Sequence, residues 1–389
     1  MSEKIMMDVL QAVALFFLNP VFLVTLLIAV AIGYFRVKRE RRSFRVRLLP
    51  GWTELKRLVP DSIGYALLLS LLICGAGLTV DPGWLVLFSA AMLIAILTFY
   101  FKWASPVYFA AAATVGLVLL QRFAGDFTVR GWSPSTVDWS SGMLVTIPVL
   151  AGLLLIVEGF LISRHTARYA SPYLKETDRG LHAAVFKAKR IWLLPVLFLV
   201  PGDMISAYLP YWPQFTLGER AFSFIPVPIV IGFSQVARSL FPETLFPKMG
   251  QAVSWTGVAV VLVGLSAIWM PILGWTALVI GVICRLFLSI LVSIRERKGR
   301  YAAAPRSAGV VIAGVLPDSP GEKMGLAPGE CIRAVNGVPV SNEKELYDAI
   351  QINAAHCRLQ VIDRDGEVRL MQQVLYRYDH HRLGVLVVR

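Results

Sequence analysis

The chain has 389 residues, 56% hydrophobic and only 16% charged, with a mean hydropathy of +0.64. Soluble globular chains carry about 25% charged residues, so this composition excludes a wholly soluble protein. The net charge of +13 sits in a few short segments, a pattern that suits the positive-inside rule and anionic lipid headgroups rather than a nucleic-acid surface.

The first apolar run, Ala12 to Phe35, is interrupted at Asn19-Pro20. Many further runs follow, so it reads as a membrane span rather than a cleaved leader. Next comes a basic segment with Arg36, Lys38, Arg39, Arg41, Arg42, Arg45, Arg47, Lys56 and Arg57 against Glu40 and Glu54. The bias places this segment in the cytoplasm and the N-terminus outside. Its cations also suit docking to anionic headgroups or to a cytoplasmic protein.

Ile63 to Thr79 and Trp84 to Phe101 read as two more spans, joined by the turn at 80–83. Pro106 to Leu120 and Met143 to Ile162 follow, on either side of a near-neutral loop. A second basic loop carries Arg164, Arg168, Lys175, Arg179, Lys187, Lys189 and Arg190. Ile191 to Leu209 reads as a sixth span, kinked at Pro195 and Pro201. Ser223 to Leu240, with Pro226, Pro228 and Gly232, reads either as a crossing or as a re-entrant segment. Ala252 to Leu291 is too long for one helix and divides at Pro271 and Gly274. Nine spans keep every basic loop on one side and put the C-terminal region in the cytoplasm; eight put that region outside. The basic residues Arg295, Arg297, Lys298 and Arg300 favour nine.

Beyond the linker at 299–307 the pattern changes to that of a folded soluble domain. Val310 to Val315 and Cys331 to Val335 read as strands, and Asn336-Gly337 as a hairpin turn whose residues tolerate positive φ. Asn342 with Glu345 makes a capping-box pattern before a helix in which Leu346, Ala349 and Ile350 share a face. Arg358–Asp363 and Glu367–Val374 form a hairpin, and Leu383–Val388 a final strand. The ordered series Ser319-Pro320-Gly321, Met324-Gly325-Leu326, Pro328-Gly329-Glu330 and Val335-Asn336-Gly337 resembles a bacterial PDZ domain.

That resemblance implies a peptide groove. In the usual order a carboxylate-binding Φ-G-Φ loop precedes the first strand, and here the linker leaves little room for it. Arg382-Leu383-Gly384-Val385 resembles that loop and strand supplied last, as in circularly permuted PDZ forms. Leu383, Gly384 and Val385 would then bind the peptide terminus and strand, with Leu346 and Ile350 on the opposite wall. The alternative is that 383–388 is only a closing strand.

Catalytic patterns are missing from the sequence. His165, His182, His356, His380 and His381 form no His-Glu-x-x-His. Paired intramembrane aspartates, a Gly-x-Ser-x-Gly with a histidine on another span, a Ser-Lys dyad, Walker A and GxGxxG are all missing too, and no cofactor is implied. The four cysteines, Cys74, Cys284, Cys331 and Cys357, show no zinc spacing and read as reduced thiols. Asp203 and Glu158 are the acids well inside apolar runs. Such acids are functional candidates by default, although both lie near span ends, where water or Arg164 is within reach.

These readings combine into a polytopic α-helical membrane protein of about eight or nine spans over 1–298, with an α+β PDZ domain over 299–389, in circularly permuted form. The function they favour is a membrane-anchored adaptor. The competing class is a membrane protease or transporter whose PDZ domain gates substrate peptides. The order of spans, the stretch LFFLNPVF…IGYFRVKRERRSF and the terminal PDZ domain also resemble the MinJ-type cell-division topological determinants of Gram-positive rods. That resemblance implies a non-enzymatic adaptor between DivIVA and MinD, placed at poles and septum.

Overall fold

A computed structural model of the chain describes residues 13–128, 132–137, 139–177, 180–201, 214–217, 220–353, 356–374 and 383–388. After a helical segment at 13–18, α1 runs over Pro20–Phe44. Asn19 caps it by accepting from Val21 N (2.9 Å), and Pro20 takes the first position, where its missing N–H costs nothing. The helix continues past Phe35 into the basic segment. There follow α2 (Thr53–Lys56), α3 (Ile63–Gly75), α4 (Pro82–Leu97), α5 (Pro106–Phe123), α6 (Leu144–His165), α7 (Pro242–Ser266) and α8 (Ile272–Lys298). Of these, α1, α5, α6, α7 and α8 are long and apolar enough to cross a membrane; α3 and α4 are apolar but shorter.

Helices α6 and α7 pack through facing glycines. Gly152 and Gly159 on one, and Gly250, Gly257 and Gly264 on the other, recur every seven residues and so line one face of each helix. A Cβ on Gly159 would lie 2.4 Å from Gly250 O, and one on Gly257 would lie 2.7 Å from Gly152 O. The backbones approach closely, which gives the van der Waals contact that holds helices together where lipid removes the hydrophobic drive.

Between α6 and α7 the expectation of helical spans is overturned. Neither Ile191–Leu209, as far as it is described, nor Ser223–Leu240 is helical. They belong to β2 (His182–Pro201) and β4 (Arg220–Ala237), which pair antiparallel from Phe186↔Ala237 to Pro201↔Phe222. With β1 (Ser171–Glu176) and β3 (Gln214–Leu217) they make a sheet of order β1-β2-β4-β3. Leu209, like Asp203, lies outside the described residues.

The prolines explain the choice. Leu193 N donates away from the ladder to Leu58 O (3.0 Å), Leu197 N to Ser70 Oγ (2.9 Å), and Gly232 N to Ala104 O (2.8 Å). Odd residues of β2 and even residues of β4 therefore point their N–H outward. Pro195, Pro201, Pro226 and Pro228 all share that parity, with Pro195 opposite Pro228, so the ladder loses no donor. In a helix each would remove a bond and clash with the preceding turn. The hairpin is buried among the helices at Trp192, Leu194, Ile229 and Ile231. The same outward bonds satisfy backbone donors that an apolar surrounding cannot.

The C-terminal domain contains β5 (Val310–Val315), α9 (Pro320–Lys323), β6 (Cys331–Val335), β7 (Val338–Pro339), α10 (Glu343–Ile352), β8 (Cys357–Ile362), β9 (Val368–Gln373) and β10 (Val385–Val387). Its sheet order is β10-β5-β6-β8-β9, with β7 paired to β6. Asn336 (φ 51°) and Gly337 (φ 86°) make the expected turn. Asn342 caps α10 by accepting from Glu345 N (2.9 Å), and Glu345 accepts in return from Ser341 N (2.8 Å). One sheet face buries Val310, Ile312, Ile332 and Leu359 against α10. Val311, Ala313, Cys331, Leu386 and Val388 join the core of the helical domain instead.

The candidate peptide groove and its seat on the helical domain

Strand β10 pairs with β5 through Val385↔Val315, Leu386↔Gly314 and Val387↔Ile312. The last strand in sequence therefore sits beside the domain's first. Leu383, Val385, Leu346 and Ile350 do come together, but in one buried cluster: Leu383, Leu346 and Ile350 are 0% exposed and Val385 is 5% exposed. Side chains assigned to the groove walls are thus part of the domain core. β10 ends the sheet among the described residues, and all three of its residues are buried.

Gly384 is fixed by backbone needs. Its φ is +71°, and a Cβ there would lie 2.3 Å from Ser319 Cβ. Its carbonyl accepts from Leu316 N (2.8 Å), while that of Leu383 accepts from Gly321 N (2.8 Å). Arg382, His380 and His381 lie outside the described residues.

The domain is seated where β1, the first half of β2 and the ends of β4 and α8 meet. Ala184 N donates to Ala303 O (3.0 Å), and Ala302 N to Arg238 O (2.9 Å). The Arg364 guanidinium lies 3.9 Å from the Phe241 ring centroid and 3.4 Å from Glu243. Glu296 at the end of α8 accepts from Arg238 N (2.6 Å), Ser239 N (2.8 Å) and Ser239 Oγ (2.9 Å).

The basic segment lies at the same end: Ser171 of β1 donates to Glu40 of α1 (2.8 Å), and Arg39 covers the Tyr173 ring. Not all of the segment is a free surface. Arg36 is buried and donates to Glu40 (2.9 Å), Glu54 (2.7 Å) and Pro50 O (2.7 Å), folding 45–54 back onto α1. Lys38, Arg41, Arg42, Arg45, Arg47, Lys56 and Arg57 remain exposed, beside exposed Tyr34, Phe35 and Trp52. Cations among aromatic rings are the usual composition of a membrane interface.

Glu158 is not paired with Arg164. It is fully buried and meets Arg285 of α8 at 2.6 Å, while Ser105 donates to its other oxygen. Sequence reading passed over Arg285, although a lone cation in the run from Ala252 to Leu291 matches a lone acid in α6. A second buried pair, Arg190–Asp61 (2.8 Å), has His165 3.8 Å from the same carboxylate. Among the described residues no group of three or more His, Cys, Asp or Glu is placed to hold a metal ion.

A family model described as a PDZ domain matches residues 311–364. The chain is 33% identical to the cell division topological determinant MinJ of Bacillus subtilis (strain 168) over 391 aligned residues, covering 100% of this chain and 97% of the relative. It is 24% identical over 374 residues to probable cell division topological determinants MinJ of Lacticaseibacillus paracasei and Lacticaseibacillus casei (strain BD-II), covering 95% of this chain and 96% of each relative. No solved structure matches it. With its spans, its PDZ domain and this full-length similarity, the chain belongs to the MinJ family of cell division topological determinants.

Proposed function

We propose that the protein is a non-enzymatic, membrane-anchored adaptor that collects cytoplasmic division proteins, DivIVA and MinD by resemblance, at the poles and septum. The observation that supports this best is the seat of the PDZ domain. It packs against the end of the helical domain that also carries the exposed cations of 38–57. Under the positive-inside rule that end faces the cytoplasm, where division proteins are found. If each of the seven apolar helices and each strand of the β2–β4 hairpin is taken as one crossing, the count is nine, which would return the chain to the side where it first became basic.

Within this reading, residues 1–298 anchor and 299–389 capture. The edge of β10, from Leu383 through Gly384 and Val385, receives the partner's strand, and α10, held by Leu346 and Ile350, bounds the groove. Hydrogen exchange of the full chain tests the groove: capture of a partner should protect the amides of 383–387. Capture without such protection would place the contact elsewhere. A fluorescent fusion concentrated at poles and septa supports the adaptor, and a uniform membrane signal overturns it.

A further inference from the structure

A cleft of about 350 Å³ opens where the start of β2, β4, the 98–103 turn and the end of α8 meet. Six cations line it: Lys102, Lys175, Lys187, Lys189, Arg238 and Arg297. The strands put them there. Lys187 and Lys189 lie two residues apart in β2 and so share a sheet face, opposite Val236 and Ser234 of β4. Glu296, which also lines the cleft, has its carboxylate taken up by the main chain of 238–239. Among the described residues no carboxylate lies within ion-pair distance of the four lysines or of Arg297.

This concentration of unpaired charge costs energy. Burial, together with Arg297, lowers Lys102 in the 98–103 turn. A bound anion would offset that cost. A second groove of about 250 Å³ continues from the cleft and shares Tyr100, Lys102, Ser293 and Arg297 with it. Its remaining walls are mainly apolar: Trp103, Leu286, Ile290 and Ile294. A cationic chamber leading into an apolar groove along α8, at the cation-rich end of the membrane domain, matches the two halves of one ligand class.

We propose that cleft and groove together form a binding site for one anionic phospholipid, with its phosphate among Lys102, Lys187, Lys189 and Arg297 and an acyl chain along Ile290 and Ile294. The site rests on the membrane placement of 1–298 and not on the adaptor role, so either can fail alone. It is distinct from the exposed cations of 38–57, which offer a surface and no chamber.

The test uses the full chain in non-ionic detergent, titrated with phosphatidylglycerol, phosphatidylcholine or inorganic phosphate and read by native mass spectrometry. One phosphatidylglycerol should be retained per chain, and phosphatidylcholine should not. Lys187→Gln with Lys189→Gln should weaken phosphatidylglycerol binding by about tenfold or more, whereas Arg41→Gln with Arg42→Gln should leave it unchanged. Ile290→Trp fills the groove from a half-exposed position, and should weaken lipid binding but not phosphate binding. Equal retention by the β2 double variant overturns the site. Phosphate binding as tight as that of the lipid, with no effect of Ile290→Trp, makes it a free-anion site and overturns the lipid assignment.

Discussion

Arg285 of α8 donates through Nε (2.9 Å) and a terminal nitrogen (2.6 Å) to the same oxygen of Glu158 in α6. Ser105, at the start of α5, donates to the other oxygen, so three segments meet at one buried charge pair. Removing one partner leaves the other charge buried and unpaired, at a cost of about 3–5 kcal/mol. Glu158→Leu or Arg285→Leu alone should therefore sharply lower the melting temperature in detergent. The double exchange should recover much of the loss, because two apolar side chains need no partner. Additive single effects in that cycle would deny the coupling.

The glycine contact between α6 and α7 makes a contrasting prediction. A Cβ at Gly250 would lie 2.4 Å from Gly159 O, a backbone atom with nowhere to move. In α5, a Cβ at Gly116 meets only the Leu87 side chain at 3.7 Å. Gly250→Ala should lower the melting temperature markedly. Gly116→Ala should leave it level or raise it, because alanine is the better helix former by about 1 kcal/mol. Equal behaviour of the two variants would show that close approach does not hold the pair.

Gly384 tests fold rather than binding. Holding a non-glycine residue at φ +71° costs about 1–2 kcal/mol, and the clash with Ser319 adds to it. Gly384→Ala should open the PDZ domain to proteolysis, so loss of partner capture in a Gly384 variant would follow from unfolding. A protease-resistant Gly384→Ala would remove the constraint.

Cys357 gives the PDZ domain a defined alkaline limit. It is fully buried, and desolvation pushes its thiol from 9.0 to about 11. The folded pKa is the higher one, so the neutral thiol stabilises the domain fully below pH 9 and the contribution is lost as pH rises towards 11. The loss amounts to about 2–3 kcal/mol. Maleimide labelling of Cys357 in a chain lacking the other thiols should be slow at pH 8 and accelerate above pH 9. Fast labelling at pH 8 would contradict the burial.

The sequence alone determined the features that depend on neighbours along the chain. Long apolar runs became helices because a helix satisfies its own backbone in lipid. The PDZ turns were legible because Asn336-Gly337 tolerate positive φ and the Asn342–Glu345 cap bonds backbone within four residues. Tertiary structure decided the rest. Ile191–Pro201, expected as part of a helical span, is a short continuous apolar run with no distinctive period; the parity of Pro195, Pro226 and Pro228 settles it as strand only when the two strands face each other. The partners Glu158 and Arg285 are 127 residues apart. The lysines of β2, read as part of a basic loop, became one wall of a chamber when the pleat turned Lys187 and Lys189 to the same face. Charge and hydropathy record what a segment prefers to touch, and only the folded chain brings those preferences within a few ångströms of each other.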